Sequence, residues 1–297
     1  MLLLYRSLDP SKFAQADQEN LVTIDQLELA AIPVKSKVAV DPVINATAAY
    51  VTDEDTGAVL FSKNAETLYA PASTTKLMTA LVARQEYKSG SVVTVNFSGA
   101  VGGTVLGLRQ KEQYTLDSLL EAALISSAND AAEALAAHHP NGVSAFVKGM
   151  NAKAEELHLD NTQFNNASGF DSRDHYSTAR DLAILAREVL QDPVLRRMVN
   201  TQSTEIRDIT GSRRLTLRNT NQLLGKDPRV QGVKTGTTEE AGEVLITSVK
   251  DGQRNLLLVV LGSSSRYTDT QTLMDWVATN YTWYAPEELL QHSTALK

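Results

Sequence analysis

The stretch GEVLITSVKDGQRNLLLVVLG, Gly242 to Gly262, holds two aliphatic runs on either side of Asp251-Gly252. Asp-Gly between such runs favours a two-residue hairpin, because that turn needs positive φ at both central positions. The pattern predicts two antiparallel strands here, and VQGVKTG (Val230 to Gly236) just upstream reads as a third. Far away, INATAAYVTDEDTGAVLFSK (Ile44 to Lys63) reads as two more strands about the charged turn DEDTG. A hairpin alone is marginally stable, so the early pair and the late strands are expected to complete one mainly antiparallel, five-stranded sheet.

Between them the periodicity turns helical. After Pro71, STTKLMTALVARQEY places Leu77, Ala80, Leu81 and Arg84 at helical spacing, with Ser73 in the first turn. TLDSLLEAAL carries Leu116, Leu119, Leu120, Ala123 and Leu124 on one face. DAAEALAAHH and SAFVKGMNAKAEEL continue the helical run; in YSTARDLAILAREVL the Thr178 to Asp181 spacing predicts a capping box. A closing helix is expected through Leu273, Trp276, Val277 and Tyr281. The expected class is α/β (α+β): a sheet flanked by helices, with a helical lobe inserted over about residues 90–200 and a crevice between lobes as the natural ligand site. Residues 1–42 read as a lead-in arm, 43–283 as the main domain and 284–297 as a tail.

Composition bounds the chemistry. With 297 residues, 42% of them hydrophobic, the chain can bury a substantial core. Lys and Arg (28) against Asp and Glu (35) give a net charge of −7 with no long single-sign run, so neither a nucleic-acid groove nor a polybasic membrane patch is expected. Absence of cysteine excludes disulfide and thiolate chemistry. MLLLYRSLDPSKF is too short to span a bilayer and lacks the basic start and cleavage site of an export signal. YAPEELLQHSTALK is too short for a further β-rich domain or an amphipathic anchor, so no direct membrane anchor is expected. His138, His139, His158 and His292 show no metal-ligand spacing, and no metal or cofactor is implied.

Three short patterns lie in order: Ser73-Thr74-Thr75-Lys76, Ser127-Ala128-Asn129 and Lys234-Thr235-Gly236. Read singly, they are a helix cap, a turn between helices and a strand end. Read together they describe one mechanism. Residues three apart on a helix share a face, so Lys76 can reach the Ser73 hydroxyl. A neutral amine there can take the proton, its neutrality coming from burial or from a nearby cation such as Lys234. Ser127 offers a hydroxyl to relay a proton, and Asn129 an amide that can both donate and accept.

These patterns resemble those of the penicillin-recognising serine acyl-enzymes. The stretches YAPASTTKLMTALVA (Tyr69 to Ala83), SSANDAA (Ser126 to Ala132), FNNASGFDSRDHYSTARDLAILAR (Phe164 to Arg187) and VKTGTTEEAG (Val233 to Gly242) narrow the resemblance to the low-molecular-mass D-alanyl-D-alanine carboxypeptidases, from about Ala46 to Trp276. The resemblance implies a β-lactamase/transpeptidase-like fold, with Ser73 as the acylated nucleophile and Lys76 as its base. Ser127, Asn129, Lys234, Thr235 and Gly236 would complete the polar cluster, the backbone N–H groups of Ser73 and Thr237 would form the oxyanion hole, and Arg266 would hold a terminal carboxylate. It further implies peptidoglycan stem peptides ending in D-Ala-D-Ala as substrate, β-lactams as covalent inhibitors and an extracytoplasmic location. Three alternatives stand beside it. A class A β-lactamase needs a Glu-x-x-Leu-Asn context, which ELHLDNTQF approaches only superficially; a D,D-endopeptidase shares the site; a non-hydrolytic module would not need it intact. His175 invites a histidine-triad reading, but Lys76 already fills the base role and a histidine beside a helix cap belongs to the scaffold.

Overall fold

The computed structural model describes residues 30–96, 101–252 and 254–288. Most of the expected lead-in, including MLLLYRSLDPSKF, and residues 289–297 of the expected tail lie outside the described residues. The chain divides into two compact units, Pro33–Thr282 and one formed by its two ends. Apart from the outermost residues of the first and last strands, everything below concerns Pro33–Thr282.

In chain order the strands are β1 (Ile32–Lys35), β2 (Ala48–Asp53), β3 (Val59–Lys63), β4 (Val92–Thr94), β5 (Gln113–Thr115), β6 (Ser203–Arg207), β7 (Arg214–Arg218), β8 (Val230–Thr238), β9 (Gly242–Asp251), β10 (Arg254–Ser263) and β11 (Tyr281–Tyr284). The helices are α1 (Lys76–Glu86), α2 (Leu116–Ile125), α3 (Asn129–Ala137), α4 (Val143–Glu156), α5 (Ala179–Gln191), α6 (Pro193–Val199) and α7 (Arg266–Asn280).

The two ends of the sequence pattern do meet. The five-stranded sheet runs β3-β2-β10-β9-β8, every neighbouring pair antiparallel. The Asp251-Gly252 turn sets Asp251 opposite Arg254 and Ile246 opposite Val259, while the other edge of β10 sets Leu258 opposite Val51. Residues Leu256 to Leu261 are all buried, whichever way their side chains point, so both faces of β10 are covered. Helices α5 and α7 both pack on this strand.

Helix starts follow local chemistry. Thr115 accepts from the Ser118 N–H and caps α2; Thr178 accepts from the Asp181 N–H and caps α5. Only half of the capping box forms at α5. The Asp181 carboxylate turns outward, accepting from the Asn161 N–H and the Thr162 hydroxyl, and so fixes the preceding loop instead.

Ser73 differs from its expected place. It sits in a 3₁₀ turn, Ala72–Thr75, that precedes α1, and it caps neither element. Pro71 and a left-handed Ala72 (φ 49°) tighten the entry, and the Lys76 N–H bonds back to the Ser73 and Thr74 carbonyls. The closing helix ends at Asn280. Tyr281 is already extended, and its hydroxyl donates to Leu60 O. The β4–β5 and β6–β7 ribbons and helix α6 had no counterpart in the sequence reading, because their runs are only three to seven residues long.

Candidate active site

Three parts of the fold bring the three patterns to one place: the 3₁₀ turn with α1, the turn ahead of α3, and β8. Contact at Gly236 and Gly169 is backbone to backbone. A Cβ on Gly236 would lie 2.9 Å from Ala72 Cβ and 3.1 Å from Ser73 N; one on Gly169 would lie 1.9 Å from Ala72 O. Glycine is therefore required at both positions, and β8 presses directly against the backbone that carries Ser73. The Ser73 and Thr237 N–H groups thus belong to two segments that meet at Gly236.

Lys76 Nζ lies 2.8 Å from Ser73 Oγ and donates to Ser168 O at 2.6 Å. Ser127 holds φ 58°, a conformation that costs an ordinary residue about 1–3 kcal/mol and concentrates at functional sites. From there its Oγ meets Lys234 Nζ at 2.7 Å, and Lys234 also donates to Thr235 O at 3.0 Å. Both ammonium groups are buried, with 0% and 1% of their residues exposed. Burial pulls Lys76 down to about 7, opposed in part by the carboxylates of Glu133 and Asp130. Burial also pulls Lys234 well below the usual lysine range, and the charges of Lys76 and Arg266 push in the same direction. Burial thus disfavours the charged form of both amines, and the charge of Lys76 adds to that effect at Lys234.

Asn129 opens α3 rather than capping it. Its side-chain nitrogen donates to Gly102 O at 2.9 Å and its N–H to Thr104 O, so one side-chain donor is committed to that loop. The Thr235 hydroxyl lies 2.6 Å from that of Thr220. Arg266 Nη1 donates to Gly236 O and to Thr237 Oγ1, each at 2.8 Å, and its guanidinium lies over the Tyr267 ring. Contacts thus link Ser73, Lys76, Ser127, Lys234, Thr235, Gly236, Thr237 and Arg266, while Asn129 bonds to the loop at Gly102 and Thr104. Thr220, Ser168 and Tyr267 join this cluster unannounced; Ser168 contributes only a carbonyl, which no residue-type signal marks.

His175 is not in the cluster. Its Nδ1 accepts from the Asn165 N–H at 2.9 Å, leaving the ring proton on Nε2 to meet Thr75 Oγ1 at 2.8 Å. Burial lowers it to about 4, against a small opposing pull from Asp171. A neutral, doubly bonded imidazole braces the base of the Ser73 turn. Among the described residues there is no group of three or more His, Cys, Asp or Glu placed to hold a metal, and no helix long and apolar enough to cross a membrane.

A family model described as D-alanyl-D-alanine carboxypeptidase matches residues 35–265. The chain is 36% identical over 245 residues to D-alanyl-D-alanine carboxypeptidase DacF of Bacillus subtilis, covering 80% of this chain but 63% of that protein's length. It is 34% identical over 257 residues to a D-alanyl-D-alanine endopeptidase of Pseudomonas aeruginosa, covering 84% of this chain and 83% of that one. Among solved structures, the DD-transpeptidase of Streptomyces K15 superposes with a TM-score of 0.76 at 30% identity, covering 81% of this chain and all of that one.

Proposed function

The chain belongs to the D-alanyl-D-alanine carboxypeptidase family, and from that premise we propose that it removes the terminal D-alanine from peptidoglycan stem peptides through a Ser73 acyl-enzyme. The carrying observation is the buried Lys76 amine at 2.8 Å from the Ser73 hydroxyl, its proton affinity lowered to about 7. At that value Lys76 is a base matched to neutral pH.

Ser73 Oγ attacks the carbonyl carbon of the D-Ala-D-Ala bond while its proton passes to Lys76 Nζ. Charge developing on the carbonyl oxygen is met by the N–H groups of Ser73 and Thr237. The proton is then delivered to the leaving amine by way of Ser127, the C–N bond breaks, and D-alanine departs. Water completes the cycle on the ester. Arg266 holds the substrate's terminal carboxylate, with Thr237 beside it; Asn129 receives the acyl-side backbone; Lys234, Thr235 and Gly236 form the facing wall. A β-lactam presents the same carbonyl and remains on Ser73 as a covalent adduct. Residues 43–283 act as the catalytic domain, the helical lobe of about residues 90–200 being its inserted half. Because stem peptides lie outside the cell membrane, the reaction is extracytoplasmic.

Mass spectrometry after exposure to benzylpenicillin tests the nucleophile. The wild type should gain one penicilloyl mass and Ser73→Ala none; an identical adduct on the alanine variant removes Ser73 from the role. D-alanine release from a pentapeptide then supports the carboxypeptidase, cleavage confined to cross-linked dimers the endopeptidase reading that the Pseudomonas aeruginosa relative's name raises, and rapid penicillin turnover the lactamase.

A further inference from the structure

Away from the Ser73 cleft, a cavity of about 490 Å³ opens where the far ends of α5 and α6 meet the end of the sheet. None of its lining residues belongs to the catalytic cluster. Arg187, Arg196 and Lys250 line it, and among the described residues none of the three forms an ion pair. In a chain of net charge −7 this is a local concentration of basic side chains, Arg196 also donating through Nε to Leu190 O.

Two carboxylates share the cavity with the three cations, and the Arg196 charge acts on one of them, Glu54. Asp55 is engaged by the Asn255 amide at 2.9 Å. Glu54 sits deeper, one of its oxygens buried with no hydrogen-bond partner among the described residues. Burial raises its carboxyl to about 7, the neighbouring Asp55 and Asp53 adding to the rise, while the Ser248 hydroxyl and the Arg196 charge oppose it.

The remaining lining distinguishes among anions. Side-chain amides of Gln191, Asn200 and Gln231 line it with the cations, Asn200 donating to Gln231 Oε1 and Gln231 to Pro228 O; Leu190 is the one aliphatic lining residue, and no aromatic ring lines it. A site without a ring has no stacking surface for a base or a sugar face. Amide donors and acceptors match a peptide backbone, and the volume lies within the range of small-ligand sites.

We propose that this cavity is a second ligand site, taking a short peptide with a free carboxylate. The carboxylate lies among Arg196, Arg187 and Lys250, and the peptide groups pair with the surrounding amides. Glu54 tunes the site: once protonated it no longer repels the ligand, so affinity rises as pH falls through about 7.

Isothermal titration at low salt, with N-acetyl-trialanine as probe, tests this without turnover, so its outcome is independent of whether Ser73 is acylated. Saturable binding is expected, at least tenfold weaker for the C-terminal amide of the same peptide. Arg196→Met and Lys250→Gln should each weaken it about tenfold with the melting temperature little changed, and Arg266→Gln should leave it intact. Affinity should be higher at pH 6 than at pH 8 in the wild type and flat in Glu54→Gln. The proposal is overturned if no saturable binding is seen, if the amide binds equally, if only Arg266→Gln abolishes binding, or if inorganic phosphate binds as tightly as the peptide.

Discussion

Two serine–lysine pairs stand in the cleft at nearly equal separations, 2.8 Å for Ser73 and Lys76 and 2.7 Å for Ser127 and Lys234, but the chain assembles them in opposite ways. The first pair spans three residues along one turn. The second spans 107 residues and exists only where β8 and the turn before α3 come together. Their surroundings differ too. The burial of Lys76 is eased by Glu133 and Asp130, whereas that of Lys234 is aggravated by Lys76 and Arg266. The local pair sets out a nucleophile beside a buried amine; the long-range pair ties the turn before α3 to the strand β8.

The largest test of this division is Lys76→Met. Loss of a positioned base should slow acylation by penicillin about 10²- to 10⁴-fold, read by stopped-flow or timed mass spectrometry. The same change removes a buried amine and should hold or raise the melting temperature, since replacing buried ionic groups with apolar ones is often stabilising. Undiminished acylation in this variant would mean that the amine close to Ser73 is not its base.

Next in size is the pH dependence. With Lys76 near 7, the acylation rate should fall about tenfold for each pH unit below that value, and level off above it. Stability carries its own signature. Unfolded lysine keeps its proton up to about 10.5, while folded Lys76 has released it above about 7. Between those values the unfolded state binds more protons, so stability rises with pH across the window, and Lys234 contributes with the same sign. A rate profile indifferent to pH between 5 and 8 would detach the chemistry from Lys76. A smaller effect is expected for Ser127→Ala: about 10- to 10²-fold on acylation, because Lys234 then loses its 2.7 Å partner but Ser73 and Lys76 remain.

The same contrast explains what was legible in the sequence. Hairpin and helix signals act over two to fifteen residues, so Asp251-Gly252, the stripe of α5 and the Ser73 to Lys76 spacing could be read directly. That the early hairpin joins the late strands in one sheet follows from an energetic argument, that no hairpin stands alone; that the meeting edges are β2 and β10 does not. What escaped depended on partners remote in sequence. Tyr281 leaves its helix to reach Leu60 O, and Asp181 forgoes its box for Asn161 and Thr162. Ser73 enters through a 3₁₀ turn because Gly236 and Gly169 crowd the backbone on both sides. The cavity beside Glu54 draws on six segments, none with a motif of its own.

The smallest catalytic effect, and the sharpest against a histidine base, belongs to His175. Its Nδ1 accepts from Asn165 N–H and its Nε2 faces Thr75 Oγ1, so neither nitrogen is available to Ser73. Replacing it with alanine deletes a buried ring and strands two polar groups, a loss of about 2–4 kcal/mol. A lower melting temperature should follow, yet acylation measured well below that temperature should stay within about tenfold of wild type. Thr75→Val, which removes one of the same bonds while keeping the volume, should move both readouts in the same direction by less. The wild type should also lose stability as pH falls from about 6.5 to 4, because unfolded histidine takes up a proton there and the buried ring does not. That loss should vanish from His175→Ala. If instead a folded His175 variant lost acylation as completely as Lys76→Met, the local serine–lysine pair would not be self-sufficient, and the distinction between the two pairs would fail at its simpler member.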